Sequence, residues 1–115
     1  MDTAAALEAF GALSQETRLK ALQLLVAAGP DGLPSGEIAR QLGTPHNTMS
    51  NHLAVLARAA LVTVRRESRL MLHTANLDTL RHLMTFLMRD CCGGQPEACA
   101  ALFDAVLPIT QRPAA

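Results

Sequence analysis

The sequence predicts a single, mainly α-helical domain with one small β-hairpin. Three observations carry this. Half of the 115 residues are apolar, yet Trp and Tyr are absent and only three Phe occur; the Leu- and Ala-rich remainder favours helix over sheet. Apolar residues recur at i, i+3, i+4 in segment after segment. β-Branched, alternating residues gather in one place, 61–66, with a returning run at 70–74. The length suits one domain with its own core, and the apolar content excludes disorder. No apolar run reaches the roughly 18 residues of a membrane helix, and the N-terminus lacks the pattern of a secretory signal. The expectation is a cytoplasmic protein with no membrane partner and no organic cofactor. Scarce aromatics argue against a stacking platform for single strands.

In chain order, residues 2–13 read as a helix with Leu7, Phe10 and Leu13 at helical spacing. Ser14 is expected to cap the next helix, with Glu16 in its first turn and Leu19, Leu22, Leu25 and Val26 as its stripe. Gly29-Pro30 ends it, and Asp31-Gly32 signals a turn. Ser35 is expected to cap a short helix whose apolar face is Ile38, Ala39 and Leu42, and Gly43 suits a left-handed C-cap. Thr44-Pro45 then reads as N-cap and first helical residue of a further helix, with Met49, Leu53, Leu56 and Ala60 on one face. Its first turns are polar. The runs 61–66 and 70–74 form the hairpin, with Arg65, Arg66 and Arg69 near its tip and Glu67-Ser68 at the turn. Asn76 caps a last long helix carrying Leu77, Leu80, Leu83, Met84, Leu87 and Met88. Gly93-Gly94 breaks it, and a short helix from Pro96 to near Pro108 is expected.

Two short helices joined at Gly43-Thr44-Pro45 make a helix-turn-helix. The second has the division of labour that base reading needs: an apolar face for the domain and small polar groups in its first turns. The zero formal charge is an average. Residues 44–74 carry +3, against −2 before and −1 after, so contact with nucleic acid belongs to the middle segment. A basic hairpin directly after the reading helix fits a wing laid on the DNA backbone.

The run ALSQETRLKALQLL, followed by SGEIARQLGTPHNTMSNHLAVLARAALVTVRRESRLMLHTAN, resembles the ArsR/SmtB family of winged-helix repressors over residues 5–90 or so. The resemblance implies a homodimer that binds double-stranded operator DNA and releases it when a metal or metalloid binds. Carried over, the recognition helix is Pro45 to Ala59, its DNA contacts are His46, Asn47, Thr48, Ser50, Asn51 and His52, and Arg65, Arg66 and Arg69 serve the wing. For His52 there is a second reading, packing beneath the helix, because Leu53 faces the core. Residues 1–109 would form the DNA-binding and dimerisation domain, and 110–115 a flexible tail. Leu7, Leu80, Leu83 and Leu87 are the expected two-fold interface.

The three cysteines, Cys91, Cys92 and Cys99, lie within nine residues of an otherwise cysteine-free chain. A disulfide scaffold would spread them. Gly93-Gly94 lets the chain fold back, so one segment can supply three thiolates in a trigonal pyramid, which suits As(III) or Sb(III). Structural Zn(II) prefers four ligands; with an oxygen from Asp90, Zn(II) or Cd(II) is the alternative, and a Cys99 disulfide with Cys91 or Cys92 is another. The helix SGEIARQL holds no cysteine, unlike some arsenic-responsive members, and Asp78, Arg81 and His82 do not reproduce the zinc-type pattern. Arsenite-sensing members with a vicinal pair and a third downstream cysteine are similar to this chain. An enzyme is not expected: no oxyanion-cradling loop and no nucleophile–base–orienter set is present.

Overall fold

The computed structural model describes residues 1–91, with side chains described through Arg89. Cys92, Cys99, the expected helix near 96–108 and the tail 110–115 lie outside the described residues, as does the side chain of Cys91. The elements are α1 (Thr3–Leu13), α2 (Glu16–Ala28), a 3-10 turn (Gly29–Asp31), β1 (Leu33–Pro34), α3 (Ser35–Leu42), α4 (His46–Arg58), β2 (Val62–Glu67), β3 (Leu70–Ala75) and α5 (Leu77–Cys91). No described helix is long and apolar enough to cross a membrane.

The first helix starts at Asp2, whose carboxylate accepts from the Ala5 N–H at 2.8 Å. Its buried face is Ala6, Ala9 and Ala12, while Leu7 and Phe10 point outward. Of the three residues at helical spacing only Leu13 packs against the core, as a half-buried side chain; small alanines let α1 approach its neighbours closely. Ser14 does not cap α2. Its hydroxyl donates to the Gly11 carbonyl at 2.8 Å and closes α1, and the Gln15 carboxamide accepts from the Arg18 N–H at 2.9 Å as the true cap. In α2, Ala21, Leu22 and Leu25 are buried, whereas Leu19 and Val26 are exposed, which narrows the predicted stripe.

Two further caps shift by one residue. Pro34 holds the N-cap position of α3, and Ser35 is its first helical residue. Pro45 likewise precedes α4, which starts at His46. The Gly43 expectation holds: at φ 62°, ψ 33° it ends α3, with the Thr44 N–H returning to the Ala39 carbonyl at 3.0 Å. The α4 helix buries Met49, Leu53 and Leu56. It ends in the same motif with alanine in the special place, because Ala60 has φ 61°. The Leu61 N–H bonds back to Leu56 at 3.0 Å and the Ala60 N–H to Ala57 at 3.0 Å. Ala60 is thus exposed and off the core face; Ala59 takes its place there.

The hairpin gains a third strand. The order is β1-β3-β2, antiparallel throughout, with Leu33 opposite His73 and Pro34 opposite Leu72. A two-residue strand has no alternation to read, so the sequence offers only a loop there. Between β2 and β3, Val64 faces His73 and Arg66 faces Met71. The turn sits at Ser68-Arg69, one residue later than expected, with Ser68 at φ 56°. The Asn76 cap of α5 is present, accepting from the Thr79 N–H at 3.3 Å. On α5, Leu83 and Met88 are buried, while Leu77 and Met84 are exposed.

Candidate nucleic-acid interface

The α3–α4 pair and the β2–β3 hairpin present one polar, basic end. Met49, Leu53 and Leu56 anchor α4 in the core. The 3.6-residue period then turns His46, Asn47, Thr48, Ser50 and Asn51 to solvent. The first turn of α4 has no acidic residue, and Pro45 gives it no side-chain cap, so the partial positive charge of its N-terminus favours an anion. The Asn47 side chain accepts locally from the Thr48 N–H at 3.0 Å. His46 Nε2 lies 2.9 Å from the Ser35 hydroxyl, which ties the reading helix to the start of α3.

His52 differs from the other five. It is half-buried, and its Nδ1 lies 3.4 Å from Arg18 Nη1. The Arg18 Nε in turn donates to the Ala12 carbonyl at 2.6 Å. The ring therefore faces α2 through Nδ1, as the packing reading expects, and stays partly exposed. The sequence does not mark Arg18 as a site residue. Its only signal was its place in the ETR run, since a lone arginine in a helix's first turn looks like surface charge.

The three wing arginines separate. Alternation along β2 puts Val64 and Arg66 on the face toward α4 and Arg65 on the other. Arg65 is not at a free tip: its guanidinium donates to the Pro30 carbonyl at 2.9 Å and the Asp31 carbonyl at 3.1 Å, and reaches Glu67 at 3.3 Å. Arg66 bonds only the Ser68 carbonyl, at 3.3 Å, and Arg69, in the turn, makes no hydrogen bond to a described residue. On α3, Arg40 is held by the Glu37 carboxylate at 2.8 and 3.0 Å.

Between α4 and the hairpin runs an open, mostly apolar groove of about 320 Å³, walled by Ala54, Ala57, Val64 and Met71 and floored by Leu53 and His73. His73 is 9% exposed, and its Nδ1 has no hydrogen-bond partner among the described residues. Burial pushes its pKa down, more than the nearby Leu33 and Met71 backbones pull it up.

The interface expectation needs one correction. Leu83 is 4% exposed within a single chain and belongs to its core, so it has no surface left for a second copy. Leu7 is 65% exposed, and Leu80 and Leu87 are half-buried. Leu77 and Met84 are exposed on α5 and Phe10 on α1; these were not singled out as interface residues. The proposed metalloid ligands Cys91, Cys92 and Cys99 fall where no side chain is described. Among the described residues no group of three or more His, Cys, Asp or Glu could hold a metal, and Asp78 is bonded to Arg81.

Residues 13–65 match the family model of a helix-turn-helix domain. No curated protein matches the chain. Among solved structures, an ArsR-like transcriptional regulator from Rhodococcus sp. RHA1 is similar at TM-score 0.71 and 24% identity, covering 92% of this chain and 96% of that one. The homodimeric winged helix-turn-helix DNA-binding domain of a possible ArsR-family regulator from Mycobacterium bovis is similar at TM-score 0.61 and 26% identity, covering 76% and 79%. A possible transcriptional regulator for arsenical resistance is similar at 0.59 and 25%, covering 84% and 94%. The fold is a winged helix-turn-helix, and the matched helix-turn-helix domain supports a DNA-binding role.

Proposed function

We propose that this chain is a cytoplasmic transcriptional repressor that binds double-stranded operator DNA as a homodimer. It lets go when As(III) or Sb(III) is bound by the thiolates of Cys91, Cys92 and Cys99. The observation that carries the DNA reading is the exposed run His46, Asn47, Thr48, Ser50, Asn51 on a core-anchored helix, together with the exposed wing arginines Arg66 and Arg69. Asn amides suit adenine edges, hydroxyls suit phosphates or bases, and arginines suit the backbone. Two such helices in a dimer would read half-sites roughly 34 Å apart. The inducer reading rests on donor chemistry: three soft thiolates match a trivalent thiophilic ion, and one similar structure is a possible regulator for arsenical resistance. Gathering residues 91–99 around the ion, next to the end of α5, would bias the dimer toward a spacing the operator fits poorly. Coupling of this kind is typically about 1–3 kcal/mol.

The test is a mobility-shift titration of the reduced protein on the promoter of its own gene at several salt concentrations. As(III), Sb(III), Cd(II), Zn(II) and peroxide are then added in turn. Release by As(III) or Sb(III), with C91S, C92S and C99S still bound but unresponsive, supports the proposal. Absence of salt-dependent binding refutes the DNA reading. Release by peroxide, Zn(II) or Cd(II) alone replaces the inducer.

A further inference from the structure

Arg18 and His52 meet at the back of α4, and what their contact does rests on the DNA-binding reading of that helix. Three contacts fix Arg18. Its N–H is capped by Gln15 at 2.9 Å, its Nε donates to the Ala12 carbonyl at 2.6 Å, and its Nη1 lies 3.4 Å from His52 Nδ1. The guanidinium therefore joins the end of α1, the start of α2 and the middle of α4.

A guanidinium has five donors and no acceptor. Its approach to His52 Nδ1 is attractive only when that nitrogen carries a lone pair. In the neutral ring the proton then sits on Nε2, and the doubly protonated ring would set donor against donor. Nε2 lies across the ring from Nδ1, turned away from Arg18. His52 is half-exposed and follows Asn51 directly in the polar run. We propose that Arg18 is a positioning residue for operator recognition: it holds His52 in the Nε2–H tautomer, so that α4 offers the DNA backbone one fixed N–H donor. The phosphate oxygen is an acceptor, and a donor to an ionised acceptor makes a stronger bond than a neutral pair. Without Arg18 the ring divides between two tautomers and several orientations, and one of those tautomers has no proton on Nε2.

The experiment is a double-mutant cycle on operator affinity, read beside the ¹⁵N signals of the His52 ring. Glutamine can place an amide N–H near the Nε2 position without any tautomer choice, whereas asparagine reaches only the Nδ1 position. Both variants are expected to weaken operator binding, H52N about tenfold more than H52Q. R18M is expected to lose about tenfold with no change in salt slope, because Arg18 touches no phosphate. In the H52Q background the same R18M change is expected to cost little. The ring signals should show a protonated Nε2 and bare Nδ1 in wild type, and a tautomer mixture in R18M. An equal R18M cost in both backgrounds means that Arg18 only supports the packing of α4, and it overturns the proposal. So does equal binding by H52N and H52Q, which needs no Arg18 variant. A wild type without salt-dependent DNA binding refutes the function reading instead, and the ring signals still report on the Arg18–His52 pair.

Discussion

Replacing Gly32 by alanine tests how tightly the base of the wing is built. Gly32 has φ 72° and ψ −178°, a region that is essentially glycine's alone, where a side chain costs about 1–3 kcal/mol. A Cβ there would lie 2.6 Å from the His73 carbonyl oxygen and 2.8 Å from Thr74 Cγ2. The carbonyl cannot yield easily, since β3 is the central strand, paired on both sides. Relieving such an overlap adds about 1–3 kcal/mol. The expected loss is about 2–6 kcal/mol, a large share of the roughly 5–15 kcal/mol that holds a domain together. Two other glycines separate the contributions. Gly43, at φ 62° with open space around its Cβ, should lose only the backbone part on conversion to alanine, about 1–2 kcal/mol. Gly36, exposed on α3 with neither a positive φ nor a neighbour within 4 Å, should gain up to about 1 kcal/mol. Thermal and urea unfolding followed by circular dichroism would read the series. At about 4 °C per kcal/mol, G32A should lower Tm by about 8 °C or more. A G32A loss no greater than that of G43A would refute the close-approach argument, and a loss in G36A would refute the contrast between the two backbones.

The converse change, A60G, should stabilise by about 1 kcal/mol, since Ala60 holds a left-handed conformation at φ 61°; unfolding midpoints would show it. The wing arginines should divide by assay. R66A and R69A should each lower the salt slope of operator binding by about one per protomer, while R65A, whose guanidinium is held by Pro30, Asp31 and Glu67, should act mainly on stability. His73 should give a pH slope. Its folded pKa lies below the ordinary 6.5, so the unfolded chain takes up a proton first; stability is intact above 6.5 and falls as pH drops below it. H73L should remove that slope. At the proposed dimer face, L7D, at a position exposed in the single chain, should shift the sedimentation of the folded protein toward monomer. L83A should instead cost about 2–5 kcal/mol of folding stability, as a core truncation does.

Much of the architecture was legible because it is local. Helix periodicity, the Gly43 stop, the Asn76 cap and the alternating 61–66 and 70–74 runs each depend on neighbours a few residues away. They sufficed to place the helix-turn-helix, the hairpin and the exposed run from His46 to Asn51. What the tertiary structure decided involves partners far apart in the chain. Whether α1 buries its leucines or its alanines depends on how closely α2 and α4 approach, and close approach favours Ala6, Ala9 and Ala12. A strand of two residues exists only because β3 offers it an edge. Arg65 and Arg66 are adjacent in sequence, yet strand alternation sends one toward the Pro30 and Asp31 carbonyls, while the other donates to the Ser68 carbonyl. The Arg18–His52 contact spans 34 positions, beyond the reach of any local spacing rule. The sequence by itself determined which segments are helices and strands and which residue types are offered to DNA. Only the packing of those segments decided that Arg65 is held by the Pro30 and Asp31 carbonyls and that His52 Nδ1 lies against Arg18, because hydrogen-bond partners are assigned by distance in space.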